Sequence, residues 1–471
     1  MALVGGAVLL RLTHLDRGFT SDEVSLLFRG NLENLFNSNL TSVNPPGHRL
    51  LLGWLGGGLD ALQQGRLLSF VCGLIALPAV YLTARRLAGN RLIGLVAATL
   101  VCTAPVAVET SVMTRSYAPW LAVCTWHVWS TCHWMEPDRV SPRVSGSVLA
   151  VTALLLPQIH YFSVPVLLVE GLFLMALSQK RLLTLGLYVP GALGFLVWLG
   201  PILEGTGNRL APDHGGWGRA LERTVALEGT TLPLILFSLL VAGLWLGRKA
   251  QKAISAGFLG VLFGCWLFGR EHYFTPHAQT FSLPFLPVLF ASAFGWRPPF
   301  RRDNIFRGVY AAILLACMSA WALDMASRAP SKLERIAEPQ GRDFVAGFSE
   351  RWAEWMPPDG PHDIVISPRY MMQCLLLYER DLLLGQLRSE GPCEGERRCF
   401  VSDEQRFIGR PFDELPLDRP ILVLYANRHP PRELPAGCTL WEPEEGAVPM
   451  YRCTPVETPS PDPPMPLGHK K

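Results

Sequence analysis

The chain has 471 residues, of which 49% are hydrophobic and only 17% are charged, and its mean hydropathy is +0.24. An ordinary soluble domain carries about 25% charged residues, so this composition excludes a typical soluble enzyme, and it is too apolar for intrinsic disorder. A net charge of +3 without a basic stripe argues against nucleic-acid binding. Residues 331–471 carry 17 Lys and Arg against 23 Asp and Glu, whereas residues 1–330 carry 25 against 16. The sequence therefore predicts a basic membrane part followed by an acidic domain.

The first 325 residues contain repeated apolar segments of membrane-spanning length. A spanning helix needs about 20 mostly apolar residues, and eleven candidates lie near 1–15, 66–84, 92–108, 117–134, 146–160, 162–178, 182–203, 230–247, 253–269, 279–296 and 306–325. A further segment, 46–59, is short and broken by glycines, which predicts an interfacial helix in the first outer loop. The predicted fold class is an all-α polytopic membrane protein with about 11 transmembrane helices, which form one membrane module over 1–325.

The distribution of basic residues predicts the orientation of these helices. With a cytoplasmic N-terminus, the inner loops hold 14 Lys and Arg against 3 Asp and Glu, and the outer side of residues 1–330 holds 10 against 12. Counting 46–59 as a span would move those 14 cations outside, so the charges favour eleven spans. We expect a multi-pass protein of a bacterial inner or cell membrane whose C-terminal domain is extracytoplasmic.

Residues 331–453 predict a small extracytoplasmic α/β domain. Segments 363–367 and 421–425 are typical of buried strands bounded by prolines, and a helix is predicted over 371–387. Residues 454–471 are rich in proline and predict a disordered tail. Because such a domain faces an oxidising space, Cys393–Cys399 and Cys438–Cys453 are candidate disulfides.

Chemically active side chains gather at the predicted outer ends of the helices. Asp22 and Glu23 follow the first helix and can act as a general base or hold a divalent cation; the ordinary alternative is a helix N-cap. Later outer segments add Arg66, Glu109, Arg115, Tyr117, His160, Tyr161, Arg270, His272 and Tyr273. Each alone is compatible with a snorkelling or interfacial side chain. Together they indicate a site for an anionic head group held beside a base.

Several of these motifs, taken with their spacing, resemble the polytopic glycosyltransferases of the GT-C class over roughly residues 1–325. They are Ser21-Asp22-Glu23, Asn44-Pro45-Pro46, Arg66-Leu67-Leu68-Ser69, the segment 81–89, Thr114-Arg115-Ser116-Tyr117 and His160-Tyr161. The most similar group uses polyprenyl-phosphate sugars and includes protein O-mannosyltransferases and lipid A aminoarabinose transferases. Two departures stand out. Gly47 replaces the leucine of His-Pro-Pro-Leu and Asn44 its histidine, and Glu271 and His272 separate Arg270 from Tyr273.

The resemblance implies an inverting transfer of a sugar from a polyprenyl-phosphate carrier to a hydroxyl of a glycan, lipid or protein acceptor on the extracytoplasmic side. It implies that Asp22 is the base and that Glu23 orients it or helps to bind a divalent cation. Cations would stabilise the departing phosphate, and the implied groups are Arg66, Arg115 and Arg270, with His160 or His272 as further donors.

Two other functions remain open at this point. A secondary transporter would also have many spans, but it predicts repeated halves and ionisable groups near the middle of the bilayer. The charged residues cluster at the predicted outer rim and no internal repeat is present; His127 and Glu170 lie inside predicted spans, each as a single residue that a bundle contact could satisfy. A catalytically inactive membrane scaffold that presents the C-terminal domain is the second alternative.

Overall fold

The computed structural model describes about half of the chain. The described residues are 2–12, 15, 23, 46–55, 58–137, 140–206, 248–267, 278–294, helical positions 316, 319 and 323, and seven strands between 363 and 453. The chain divides into two compact units, Met1–Arg17 with Arg29–Glu338, and Gly18–Phe28 with Pro339–Lys471. Each unit is described by itself below.

The described part of the first unit is entirely helical. Its helices are α1 (Ala2–Leu12), α2 (Pro46–Leu55), α3 (Gly58–Ala88), α4 (Arg91–Thr103), α5 (Pro105–Ser111), α6 (Tyr117–Met135), α7 (Pro142–Ile159), α8 (Ser163–Leu177), α9 (Arg181–Thr206), α10 (Lys249–Leu267), α11 (Ala278–Ser282) and α12 (Leu286–Phe294). A helix therefore lies at the predicted interfacial segment 46–59, and it ends at Leu55.

Three described helical segments are long and apolar enough to cross a membrane: Gln63–Ala88, Pro142–Ile159 and Lys249–Leu267. The bent pair of α4 and α5 adds a fourth candidate, and Ser163–Leu177 and Arg181–Leu196 are shorter apolar helices. Two predicted spans, 230–247 and most of 306–325, lie outside the described residues. The total of eleven spans therefore stays a prediction.

Local sequence signals set several helix ends. Helix α3 ends before Gly89, whose φ of +69° is a conformation that glycine adopts without a steric penalty. Asn90 then caps α4, because its side chain accepts a hydrogen bond from the amide of Leu92 at 2.8 Å. Ser141 caps α7 in the same way through the amide of Arg143, with Pro142 at the first helical position.

Two segments predicted as continuous helices, 92–108 and 279–296, are broken in the structure. The first bends by 60° between α4 and α5, at Ala104. Pro105 has no amide hydrogen, so the helical hydrogen bond to the carbonyl of Val101 cannot form and the chain turns there. The buried Arg11 guanidinium lies beside the last turn of α4, where Nη1 donates to the carbonyls of Cys102 at 3.2 Å and Ala7 at 3.1 Å. The second break is a turn over 283–285.

The core of the helical unit forms around α3 and α6. Helix α3 packs against α4, α6 and α12, α6 packs against α7, and α10 packs against α8. Large side chains such as Trp120, Phe258 and Phe285 are fully buried between them. Leucines on α9 remain exposed, as expected for helix faces that contact lipid.

The second unit contains a seven-stranded sheet. The strands are β1 (Asp363–Ser367), β2 (Ser389–Gly391), β3 (Cys399–Val401), β4 (Arg406–Ile408), β5 (Ile421–Tyr425), β6 (Cys438–Trp441) and β7 (Met450–Cys453), in the order β2-β3-β4-β1-β5-β7-β6. The two predicted strands are β1 and β5, which pair in parallel. The register of β6 and β7 sets Cys438 opposite Cys453, while the predicted helix 371–387 and tail 454–471 lie outside the described residues.

Candidate functional site

Close backbone approaches bring the predicted site segments together at one end of the helical unit. A Cβ atom on Gly65, near the start of α3, would overlap the side chain of Thr114. A Cβ atom on Gly47, in the first turn of α2, would lie 2.5 Å from the carbonyl oxygen of Gln158 near the end of α7. Only glycine fits such contacts. These two contacts place α2, α3, the turn before α6 and the end of α7 side by side.

Arg66 lies next to Gly65 and is almost fully buried, with 2% of its surface exposed. Its Nη1 donates a hydrogen bond to the carbonyl oxygen of Leu15 at 3.0 Å. Leu15 follows the last turn of α1 and precedes Asp22 by seven residues. Arg66 therefore links the start of α3 to Leu15, beyond the end of α1.

Arg115 lies in the turn that joins α5 to α6, and Glu109 and Tyr117 lie on either side of that turn. The turn is built by backbone hydrogen bonds, including Val112 to the carbonyl of Glu109 at 3.1 Å and Arg115 to the carbonyl of Met113 at 2.8 Å. Glu109, Arg115 and Tyr117 are each partly exposed. An arginine on a turn fixed in this way can present its guanidinium to an anionic ligand at little conformational cost.

His160 lies between α7 and α8 and is buried among aromatic rings. Its ring centroid is 5.5 Å from that of Tyr117 and 4.9 Å from that of Phe281 on α11. Its Nδ1 accepts a hydrogen bond from the amide of Phe162 at 3.2 Å. Because a backbone amide can only donate, the proton of the neutral imidazole lies on Nε2. His160 is therefore a hydrogen-bond donor through Nε2, and Tyr161 beside it contacts the ring of Phe195.

A buried chain of hydrogen bonds stabilises the turn that contains His160. The indole Nε1 of Trp120 donates to Ser163 Oγ at 2.7 Å, and that hydroxyl donates to the carbonyl oxygen of Leu156 at 2.8 Å. These bonds join α6, α7 and α8 next to the His160 turn. Trp120, Ser163 and Phe281 were not predicted as site residues, because only contacts between segments distant in sequence connect them to the site.

A second polar network lies two helical turns deeper and joins four helices. Glu170 Oε2 is 3.0 Å from His127 Nε2, its Oε1 accepts from Thr131 Oγ1 at 2.8 Å, and His127 Nδ1 is 2.9 Å from Thr152 Oγ1. The Tyr188 hydroxyl on α9 is 3.4 Å from His127 Nε2. Both His127 and Glu170 are fully buried. Thr152 Oγ1 also donates to the Val148 carbonyl at 2.7 Å, which ties the network to the backbone of α7.

Several predicted site residues lie outside the described residues: Asp22, Arg270, His272 and Tyr273. Glu23 is described and is fully buried. No group of three or more His, Cys, Asp and Glu side chains suited to a metal occurs among the described residues. The roles assigned to Asp22 and Glu23, including the divalent cation, therefore stay predictions.

Comparison with known proteins gives matches in both sequence and structure. A family model described as dolichyl-phosphate-mannose-protein mannosyltransferase matches residues 51–203, which include Arg66, Arg115 and His160. The crystal structure of ArnT from Cupriavidus metallidurans bound to undecaprenyl phosphate is similar with a TM-score of 0.50 and 14% identity, covering 80% of this chain and 84% of that chain. Its apo form gives a TM-score of 0.49 and 13% identity over the same shares. No curated protein sequence matches the chain.

The similarity to ArnT at this identity concerns the fold, and it agrees with a multi-pass membrane protein. The matched family segment covers the part of the chain that contains the described half of the candidate site. The resemblance to GT-C polytopic glycosyltransferases, in the group of protein mannosyltransferases and lipid A aminoarabinose transferases, is thereby confirmed.

Proposed function

We propose that the protein is an inverting glycosyltransferase that moves a sugar from a polyprenyl-phosphate carrier to an acceptor hydroxyl on the extracytoplasmic side of the membrane. One observation carries the proposal: Arg66, Arg115, Tyr117 and His160, from separate parts of the matched segment, lie on elements that meet at one end of the helical unit. An ArnT structure with undecaprenyl phosphate bound supports the choice of an isoprenoid carrier.

In the proposed reaction the acceptor oxygen attacks C1 of the sugar while the bond from C1 to the phosphate oxygen breaks. Asp22 accepts the proton of the acceptor hydroxyl, and the polyprenyl phosphate leaves with the bonding electrons. Negative charge grows on that phosphate, so a fixed cation and a fixed hydrogen-bond donor lower the barrier. Arg115 is the proposed cation and Nε2 of His160 the proposed donor, with Arg270 and His272 as further candidates from the sequence.

Arg66 stays a further candidate for the cation that stabilises the departing phosphate. Its Nη1 donates to the Leu15 carbonyl at 3.0 Å, so the same guanidinium also links the start of α3 to Leu15, beyond the end of α1.

The buried His127–Glu170 pair is the feature that a transporter would predict. Each of its polar atoms has a partner within the helices, namely Thr131, Thr152 or the other member of the pair. A fully partnered pair is accounted for as a contact between helices, so it does not favour transport over transfer.

The proposed function is tested with purified protein in detergent and a panel of radiolabelled polyprenyl-phosphate sugars. We expect one donor to release its label in a time-dependent way and the product to have the inverted anomeric configuration. Label release with retained configuration would contradict the mechanism. If no donor is consumed even when mixed glycan, lipid and protein acceptors are supplied, the proposal fails and flux measurements in liposomes become the appropriate assay.

A further inference from the structure

The end of the helical unit opposite the candidate site carries exposed cations that the proposed reaction does not use. Arg143 lies in the first turn of α7, and Lys180 and Arg181 lie at the start of α9. All three side chains are exposed, and none forms an ion pair within the part of the chain that the structure describes. Helices α7 and α9 pack in parallel, since Cβ atoms on Gly191 and Gly194 would lie 2.4 Å from the Ala153 carbonyl oxygen and 3.0 Å from Gln158 Nε2, so their first turns lie at the same end.

The indole of Trp134, in the last turn of α6, lies between these two first turns. Its Nε1 donates to Thr184 Oγ1 on α9 at 3.1 Å. A Cβ atom on Gly146 of α7 would lie 3.0 Å from its Cζ3 atom. Arg143 and Arg181 each lie three residues before one of these contacts, which is about one helical turn. The ring of Trp134 therefore contacts both helices close to the turns that carry Arg143 and Arg181.

Serine side chains fix the backbone at both cationic turns. Ser141 Oγ accepts from the amide of Arg143 at 3.3 Å, and Ser178 Oγ accepts from the amide of Lys180 at 3.0 Å. Ser178 also bonds to Thr184 at 3.0 Å, the same threonine that contacts Trp134. The three cations thus extend from backbone positions that are already ordered, which reduces the entropy lost on binding an anion.

Apolar side chains lie immediately beyond the cations. Leu182 is 85% exposed, and Val144 and Leu183 are also more than half exposed. Cations above exposed aliphatic side chains match a lipid that has an anionic head group and hydrocarbon chains. We propose that Arg143, Lys180 and Arg181, around Trp134, form a binding site for an anionic phospholipid. This proposal does not depend on the glycosyltransferase function.

The test is native mass spectrometry of the full-length protein in a neutral detergent, with added phosphatidylglycerol or phosphatidylcholine of matched acyl chains. The wild type should retain phosphatidylglycerol in preference to phosphatidylcholine. The variant Arg143→Gln/Lys180→Gln/Arg181→Gln should lose this preference, because each cation removed near the head group weakens binding about fivefold. Arg181→Gln alone, with an expected loss of about fivefold, serves if the triple variant cannot be purified.

The matched control is Arg91→Gln/Lys249→Gln/Lys252→Gln, which removes the same charge from the starts of α4 and α10. It should keep the preference within about twofold, because the proposed site depends on the three cations around Trp134 and not on the total charge at this end. If this control lost the preference as much as the triple variant at the site, the lipid would be attracted by the overall positive charge and the proposed site would be overturned. Displacement of phosphatidylglycerol by excess inorganic phosphate would overturn the assignment to a lipid, as would a wild type without preference.

Discussion

At the scale of single residues, the fully buried contact between His127 and Glu170 predicts a large cost for breaking it. Glu170→Leu would leave His127 buried without its carboxylate, which costs about 3–5 kcal/mol. Thr131 and Thr152 can turn to carbonyls of their own helices, as Thr152 already does. The double variant His127→Leu/Glu170→Leu should therefore melt closer to wild type than Glu170→Leu does, in a thermal-unfolding measurement in detergent. A double variant that melts at or below the temperature of Glu170→Leu would contradict this account.

The tautomer of His160 leads to a second prediction at this scale. If Nε2–H donates to the departing phosphate, His160→Ala should lower the transfer rate about 10²–10³-fold. His160→Gln can place an amide donor near the same position and should keep more activity. Turnover of the two variants is compared at saturating donor. Equal losses in the two variants would argue against a donor role.

At the residue scale, the sequence indicates side chains whose chemistry is visible locally. Arg115 and His160 were singled out because ionisable side chains at helix ends are rare, and their role in the site stays a prediction; contacts at Gly65 and Tyr117 connect their segments. His127 and Glu170 were interpreted as single residues, because 43 positions separate them and only side-chain contacts between α6 and α8 join them. The supporting bond from Trp120 to Ser163 has the same separation and was not predicted for the same reason.

At the scale of helices, close packing of α10 on α8 depends on Gly260. A Cβ atom there would lie 2.5 Å from Val166 Cα and 2.8 Å from the carbonyl oxygen of Pro165, which are backbone atoms that cannot rotate away. Gly260→Ala should therefore destabilise the protein by about 1–3 kcal/mol through overpacking. Gly186→Ala is the matched control, since nothing lies within 4 Å of its Cβ position on α9. A thermal shift of the same size in both variants would contradict this explanation.

Hydropathy predicted where the helices lie, but it did not predict whether each helix is continuous. The predicted segments 117–134, 146–160 and 162–178 correspond to α6, α7 and α8 with ends that differ by at most four residues. Segment 92–108 was wrong as one helix, because hydropathy does not register that Pro105 lacks an amide. The bend it causes is followed by α5 and by the turn that carries Arg115, so the break contributes to the candidate site.

At the scale of the whole molecule, the helical unit separates two kinds of surface. One end contains the elements around Arg66, Arg115 and His160. At the other, Arg86 donates to the carbonyl of Glu136, whose carboxylate pairs with Arg248 at 3.7 Å and accepts from the amide of Ala250 at 3.2 Å. The charge counts predicted which end faces the cytoplasm, and that orientation stays a prediction. Charge counts could not predict the ion pair, because Glu136 and Arg248 are distant in sequence.

The central claim is that Asp22 is the base of a polyprenyl-phosphate-dependent transfer. The most direct measurement is the release of radiolabelled sugar from its donor by wild type, Asp22→Asn and the neighbouring control Asp16→Asn, purified side by side. We predict that Asp22→Asn elutes and melts like wild type but transfers about 10²–10⁴-fold more slowly, while Asp16→Asn stays within a few-fold of wild type. Transfer by Asp22→Asn at a rate within a few-fold of wild type would contradict the claim.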